Sequence, residues 1–408
     1  MEELKIDSAR FVSDIQELSK IGALYDNKGR TRLALTGSDI EGRRWFMSRL
    51  KELGLNVLID KFGNIAGVLE GKNKNHLIAA GSHLDTVIEA GHLDGAYGIV
   101  GALAVLRAVK VSGIIPEKNL GVINFTNEEG IRFKPDMMGS IGIAGYLDCE
   151  RILSAVDSNG ITVAEVLNRS GFAGHDIFKP TRYVELHIEQ GPVLVSAKKR
   201  VGVVQGIQGL AWWEVTYSGQ ACHAGAFPMS MRRDPLAALA DFSVLLRENV
   251  FGISDAVGTI GVVDVYPKVI NIVPGSVRFS VDARCPDPDD LLKLKNIVET
   301  MLKKVALQHN VDCSFKTVAD APAIRFPEDM TRIIETCALS ETDSVMKLTS
   351  GAGHDAQFMN FVCPSGMIFV PSEKGLSHCP MEQTSEDDLI MGVRILGKTM
   401  MLLSCNVL

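Results

Sequence analysis

The sequence predicts an α/β fold: a discontinuous α/β domain over residues 1–205 and 325–408, interrupted by an inserted α+β domain over 206–324. Three observations carry this. The chain has 408 residues, too many for one ordinary core. Apolar strand-like runs alternate with helical periodicity through the first half, as in a layered α/β domain. Past "VVQGIQ" the pattern becomes alternating strands with two amphipathic helices, and it reverts after the linker-like "ADAPAIRFPED".

The elements follow in order. Residues 5–22 and 39–53 have helical spacing, the second opening on a Ser38-Asp39 cap. "NVLID", "IAGVLEG" and "HLIAAGSH" read as strands. "GIVGALAVLRAVKVSG" reads as a helix of small and apolar residues that stops at a glycine. "NLGVINFTN" is a buried strand, "ITVAEVLNRSG" a short helix and "RYVELHIEQG" a strand. In the insert, "GLAWWEVTYSG", "VGTIGVVDVYP", "GSVRFSVDARC" and "VDCSFKTVA" read as strands. "DPLAALADFSVLLREN", with its Asp-Pro start, and "PDDLLKLKNIVETMLKKVALQHN" read as helices. A helix over 328–339, the strand "GMIFV" and a helix over 386–403 complete the chain.

Hydrophobic residues make up 46%, charged residues 22% and aromatics 6%, so there is ample material for a core. The net charge of −7 and the lack of a basic run disfavour nucleic acid. The N-terminus carries acids where a signal peptide needs a basic and then an apolar segment. No apolar stretch is long enough to span a membrane. The eight cysteines are scattered without a CxxC pair, which fits a reduced cytoplasmic protein.

Ionisable groups gather at predicted strand ends. "TNEEGIRF" places Glu128 and Glu129 side by side after a buried run; read alone, it is a solvated turn. "GSHLDT" puts His83 and Asp85 on one face of an extended segment, where Asp85 could hold the His83 ring. Asp94 sits in the glycine-rich "GHLDGAYG", equally readable as an N-cap. "VELHIEQGP" aligns Glu185, His187 and Glu189, costly on a buried strand unless paired or metal-bound. His378 lies in a loop after "MIFV". Taken together, His83, Asp94, Glu129, His187 and His378 are two carboxylates and three imidazoles near the ends of α/β strands, where the crevice of such sheets lies. That donor set suits Zn²⁺, Mn²⁺, Co²⁺ or Ni²⁺. Five ligands exceed one catalytic zinc and fit two ions sharing a carboxylate. No GxSxG, P-loop or GxGxxG motif occurs.

The blocks "GSHLDTV…GHLDGAYGIVGALAVL", "TNEEGIRF", "ELHIEQGPVL", "ACHAGAFPMSMRRDPL", "VYPKVINIVPGSVRFSVDAR", "SGAGHDAQ" and "MIFVPSEKGLSHCPMEQT" run in order through the chain. They resemble the amidase, hydantoinase/carbamoylase family of dimetal amidohydrolases. The resemblance implies a zinc-peptidase-like mixed sheet with helices on both faces and an inserted lid and dimerisation domain. It implies two divalent ions per subunit: His83, Asp94 and His187 would bind one, and Asp94, Glu129 and His378 the other, with Asp94 shared. Asp85 would orient His83. Glu128 would be the general base and later return the proton to the leaving nitrogen. His223 would stabilise an oxyanion, in its own subunit or across a homodimer. Asn271 and Arg284 would hold a substrate carboxylate. Gln190 and the loop with Gly351, Gly353 and His354 would contact the ureido or amide end.

The expected activity is hydrolysis of a linear C–N bond, with an N-carbamoyl-L-amino acid as favoured small-molecule substrate. Allantoate amidohydrolase, N-acyl amino acid or dipeptide hydrolase, and a non-catalytic binding protein are the alternatives. Two departures bear on the substrate. Ala226 and Phe227 replace two small hydroxyl residues of many relatives. "GLAWWEVT" offers Trp212 and Trp213 where allantoate-cleaving relatives tend to carry an arginine pair, which leans toward an apolar side chain.

Overall fold

A computed structural model describes residues 4–405; residues 1–3 and 406–408, the ends of the predicted discontinuous domain, lie outside them. The chain divides into two compact units, Met1–Gln205 with Phe326–Leu408, and Gly206–Arg325.

The first unit is built on a mixed sheet. Its strands run in the order Asn56–Ile59, Ile65–Leu69, Lys118–Phe125, Asn73–His83, Arg182–Ile188, Ser365–Val370 and Val201–Ile207, with Val345–Ser350 also on the last. The four middle strands, from Lys118–Phe125 to Ser365–Val370, are mutually parallel, and antiparallel pairs flank them. Their carboxyl ends therefore point one way. The parallel register sets His83 opposite Phe125 and Phe369 opposite His187. Lys118–Phe125 and Ser365–Val370, buried on both faces, read as near-continuous apolar runs, whereas the equally buried Arg182–Ile188 carries Glu185 and His187.

The helix Ala96–Ser112 is buried almost all round, as its lack of a polar face requires. Gly98 lets it close on the sheet: a Cβ there would lie 2.6 Å from the Leu186 carbonyl oxygen. The helix Glu386–Cys405 packs against it. The second predicted helix starts earlier than its Ser-Asp pair suggested. It spans Gly37–Glu52 after Thr36, and Asp39 sits inside the first turn. The Asp39 carboxylate accepts from Leu35 N at 2.7 Å and Arg43 Nε at 2.6 Å, an internal ion pair rather than a cap. The helix Val163–Ser170 opens on a full capping box made by Thr162 and Glu165.

The second unit has a five-stranded antiparallel sheet with the helices Pro235–Phe251 and Pro288–Gln308, each capped by an aspartate before an N-terminal proline. The stretch expected as one strand, "VGTIGVVDVYP", forms two, Val257–Thr259 and Val263–Tyr266, with Gly261 in the break. Trp213 is 1% exposed and fills this core, whereas Trp212 faces out. Only one of the two tryptophans therefore adds aromatic surface, because neighbours on a strand take opposite faces.

Candidate metal centre

Four strand ends deliver the ionisable cluster. His83 closes the strand Asn73–His83, and Glu128 and Glu129 follow Lys118–Phe125 by a few residues. His187 lies on Arg182–Ile188, and His378 in the loop after Ser365–Val370. Asp94 comes from the turn before the helix Ala96–Ser112. That turn passes tightly under the His83 ring. Gly95 has φ +64°, and a Cβ there would lie 2.5 Å from the imidazole.

Asp94 is the centre of the arrangement. Its Oδ1 is 3.2 Å from His187 Nε2 and 3.8 Å from His83 Nε2. Its Oδ2 is 2.9 Å from His378 Nε2, which in turn is 3.6 Å from Glu129 Oε2. One oxygen thus faces each group of donors. Ligand atoms of His83, Asp94 and His187 all lie within 4.8 Å of one another, as do those of Asp94, Glu129 and His378. His83 Nδ1 meets the Asp85 backbone carbonyl at 2.9 Å and His187 Nδ1 the Ile188 carbonyl at 2.8 Å. A carbonyl can only accept, so both rings carry the proton on Nδ1 and turn an Nε2 lone pair inward.

The Asp85 side chain does something other than expected. Its nearer oxygen is 4.0 Å from His83 Nδ1, so the backbone, not the carboxylate, holds the ring. The carboxylate accepts instead from Glu128 N and Glu129 N, at 3.2 Å each, one per oxygen. Asp85 is the clamp on the Glu-Glu pair. Asn127, at φ +56°, and Gly130, at φ +60°, bend the chain on either side.

Electrostatics set the cluster apart. Burial pushes the His83 imidazole down to about 4, keeping it neutral. Burial would also lower His187, but Asp94 outweighs it and leaves that ring raised. Burial pushes Asp94 up, and its close contacts with the His187 and His378 rings override that, holding the carboxyl well below its ordinary value. Burial, then the crowding of Glu129, Asp355, Asp94 and Asp85, drives Glu128 well above the usual carboxylate range. Glu129 is driven up by burial and then by Asp94 and Asp85. Burial raises Asp85 to about 7. So many acids in one dry place are costly without a compensating cation.

The donors fit divalent ions. Neutral imidazoles and carboxylates are suited to them, Asp94 offers one oxygen to each side, and Glu129 Oε1 is buried with no hydrogen-bond partner. Two other groupings are geometrically close: Glu185, His187 and His354, and His83, Glu128 and Glu129. In the first, Glu185 is already committed. Its Oε1 accepts from Ser82 Oγ at 2.8 Å and its Oε2 from Ala356 N at 2.8 Å. In the second, Glu128 Oε2 stands 3.5 Å from His83 Nε2, within reach of both a ligand and a base role.

The remaining expected site residues divide by unit. Gln190, at φ +60°, reaches Asp94 Oδ2 with its Nε2 at 3.0 Å and lies 3.3 Å from His378 Nε2. His354 is buried behind His187, with ring centroids 4.5 Å apart, and its Nε2 is 3.1 Å from Ser350 Oγ. Gly351 is exposed and Gly353 half-buried on the same loop. Glu189, expected to share a strand face with His187, lies past the strand end. It accepts from Val193 N at 2.6 Å and Leu194 N at 2.8 Å.

His223, Asn271 and Arg284 belong to the inserted unit. His223 Nδ1 accepts from Gly225 N at 3.0 Å and Ala226 N at 3.1 Å, which leaves Nε2 as the donor of an exposed ring. The Asn271 carbonyl accepts from Ala224 N at 3.0 Å, fixing it beside that turn. Arg232, which sequence reasoning missed, bonds the Ala224 and Phe227 carbonyls and ties the turn together. Arg284 forks onto Asp282, with Nη2 to Oδ2 at 3.0 Å, and its guanidinium carbon lies 6.0 Å from the Trp212 ring centroid.

Comparison with known proteins bears on this site. Residues 79–402 match the model of peptidase family M20/M25/M40. The chain is 34% identical over 402 residues to an N-carbamoyl-L-amino acid amidohydrolase of Geobacillus stearothermophilus, covering 97% of this chain and 98% of that one. It is 32% identical to an allantoate amidohydrolase of Bacillus subtilis, covering 97% and 98%. The crystal structure of an amidase of the hydantoinase/carbamoylase family from Burkholderia multivorans superposes with a TM-score of 0.92 at 33% identity, covering 99% of this chain and 100% of that one. With the fold, the ordered motifs and these likenesses in agreement, the chain belongs to peptidase family M20/M25/M40 and, within it, to the hydantoinase/carbamoylase amidases.

Proposed function

We propose that this protein is a dimetal amidohydrolase that converts an N-carbamoyl-L-amino acid to the L-amino acid, CO₂ and ammonia. The observation that carries it is the division of Asp94: Oδ1 toward His83 and His187, Oδ2 toward His378 beside Glu129. Those five residues would hold two divalent ions, Zn²⁺ or Mn²⁺, Co²⁺ or Ni²⁺. Bound there, the ions would acidify a water and polarise the scissile carbonyl.

The chain's own groups do the rest. Glu128 stands beside His83, largely out of water, its backbone clamped by Asp85. Its carboxylate takes a proton from the attacking water at Oε2 and hands it to the leaving nitrogen. Gln190 presents its amide at the Asp94–His378 edge, where the ureido end of the substrate would lie. His223, protonated on Nε2, is the donor assigned to the developing oxyanion. Arg284 and Asn271 are assigned to the substrate carboxylate, and Arg284 exchanges Asp282 for it. We assign the inserted unit the role of lid and homodimer contact, with movement at the crossings near 205 and 325. Eight unpaired cysteines support a reducing compartment, the cytoplasm. Among the described residues no helix is long and apolar enough to cross a membrane.

Allantoate is the second reading, favoured by the likeness to the Bacillus subtilis enzyme. Against it, the strand Gly209–Ser218 offers Trp212 where allantoate-cleaving relatives tend to carry arginines. The test is the metal-reconstituted protein assayed for ammonia or amine release on N-carbamoyl-L-amino acids, N-acyl amino acids and allantoate. Fastest turnover of an N-carbamoyl-L-amino acid with an apolar side chain is expected. Preference for allantoate would refute the substrate assignment, and ligand binding without turnover would point to a binding protein.

A further inference from the structure

His378 is the most exposed member of the cluster. About half its side chain meets water, and its backbone sits at φ +55°, in the left-handed region that residues with a side chain adopt uncommonly. Its support comes from a residue outside the five. Glu382, four positions on, is 2% exposed. Its Oε1 accepts from Leu93 N at 2.8 Å and Asp94 N at 3.1 Å, and its Oε2 from Ser377 Oγ at 2.8 Å. Its own N–H bonds the Cys379 carbonyl at 3.2 Å, closing the turn that directly follows His378. The loop before Asp94 is pressed onto this carboxylate: a Cβ on Gly91 would fall 2.2 Å from Glu382 Oε1. A buried carboxylate needs such partners. Here the side-chain bonds go to the loop that presents Asp94 and to the residue next to His378.

We propose that Glu382 is a positioning residue that locks these two loops together, so that Asp94 Oδ2 and His378 Nε2 converge on the same divalent ion. The inference rests on reading Asp94, Glu129 and His378 as ligands. Glu382 touches no reacting atom. It fixes the 2.9 Å approach of His378 to Asp94, without which an exposed loop histidine would wander.

The experiment is Zn²⁺ titration of the chelator-stripped full-length chain against a competing chromophoric chelator, with His378→Ala and His83→Ala marking which ion is which. The parent should bind two ions. Glu382→Ala and Ser377→Ala should weaken the ion held by His378 by about 10- to 100-fold, the usual effect of losing a group that orients a ligand. The ion between His83 and His187 should stay within about threefold. Glu382→Gln keeps an acceptor for Leu93 N and Asp94 N, and the Ser377 hydroxyl can rotate to accept, so it should restore most of the affinity. In a His378→Ala background, Glu382→Ala should change the remaining ion by less than about threefold. Equal weakening of both ions, or parent-like binding of two ions by Glu382→Ala and Ser377→Ala, overturns the proposal alone. A parent that binds fewer than two ions overturns the ligand reading and the proposal with it.

Discussion

Asp85→Asn isolates the clamp beneath the Glu-Glu pair. Asp85 gives one oxygen to Glu128 N and the other to Glu129 N, each at 3.2 Å, at a site 2% exposed. An asparagine keeps one acceptor and turns the other into a donor facing a donor. One hydrogen bond to a charged group is lost, worth roughly 1.5–3 kcal/mol, and a buried amide is left unpaired. Because burial already raises Asp85 to about 7, its charged form is costly, so the lost bond counts at about 1.5 kcal/mol and the unpaired amide adds about 1 kcal/mol. A net cost of about 2–3 kcal/mol corresponds to roughly 30- to 150-fold in kcat. The His83 ring should not notice, since its Nδ1 bonds the Asp85 backbone carbonyl at 2.9 Å. The assay is steady-state hydrolysis of an N-carbamoyl-L-amino acid, paired with Zn²⁺ titration. A fall in kcat with the ion between His83 and His187 retained is expected. Loss of that ion would restore the side chain as the orienter of His83, and kcat within about threefold of the parent would refute the clamp.

Other outcomes follow from the same geometry. Gly95→Ala places a methyl 2.5 Å from the His83 ring at φ +64° and should abolish tight binding on the His83 side, read by Zn²⁺ titration. Arg43 is fully buried on Asp39, the Gly63 carbonyl and Thr126 Oγ1. Arg43→Met strands a buried carboxylate and should cost about 3–5 kcal/mol in urea denaturation, and adding Asp39→Leu should recover much of it. Stripping the divalent ions should lower the melting temperature, because Glu128, Glu129 and Asp94 then crowd without a cation. Restoring Zn²⁺ to about 100 times its Kd should return about 2.7 kcal/mol. Asp94→Ala should lose that response, checked by scanning calorimetry.

The grouping of the candidate site's residues is legible in the short ordered motifs, because parallel strands deliver their ends to one edge. His83, Glu129 and His187 are fixed by that rule, and Asp94 and His378 by the loops beside it. What was not readable depends on contacts distant in sequence. The Asp85 carboxylate reaches amides 43 and 44 positions away, and Glu382 reaches Leu93 across 289. A carboxylate in "SHCPMEQ" carries no local sign of burial. Trp213 is buried where the sequence reading expected aromatic surface, since strand alternation allows only one of Trp212 and Trp213 to face out. The strands Val201–Ile207 and Val345–Ser350 carry little sequence signal, because the first runs on from a polar turn and the second is weakly patterned. Met138–Ala144 carries as little, because two glycines sit in a seven-residue helix.

The central claim is that Glu128 moves the proton while five other residues hold two ions. Glu128→Gln tests it in one preparation, by metal analysis of the reconstituted protein alongside hydrolysis of an N-carbamoyl-L-amino acid. Two ions per chain, as in the parent, and a loss of kcat of about 10²- to 10⁴-fold or more are expected. A variant that loses an ion would make Glu128 a ligand, in the grouping with His83 and Glu129, and a variant that keeps its turnover would remove Glu128 from the chemistry.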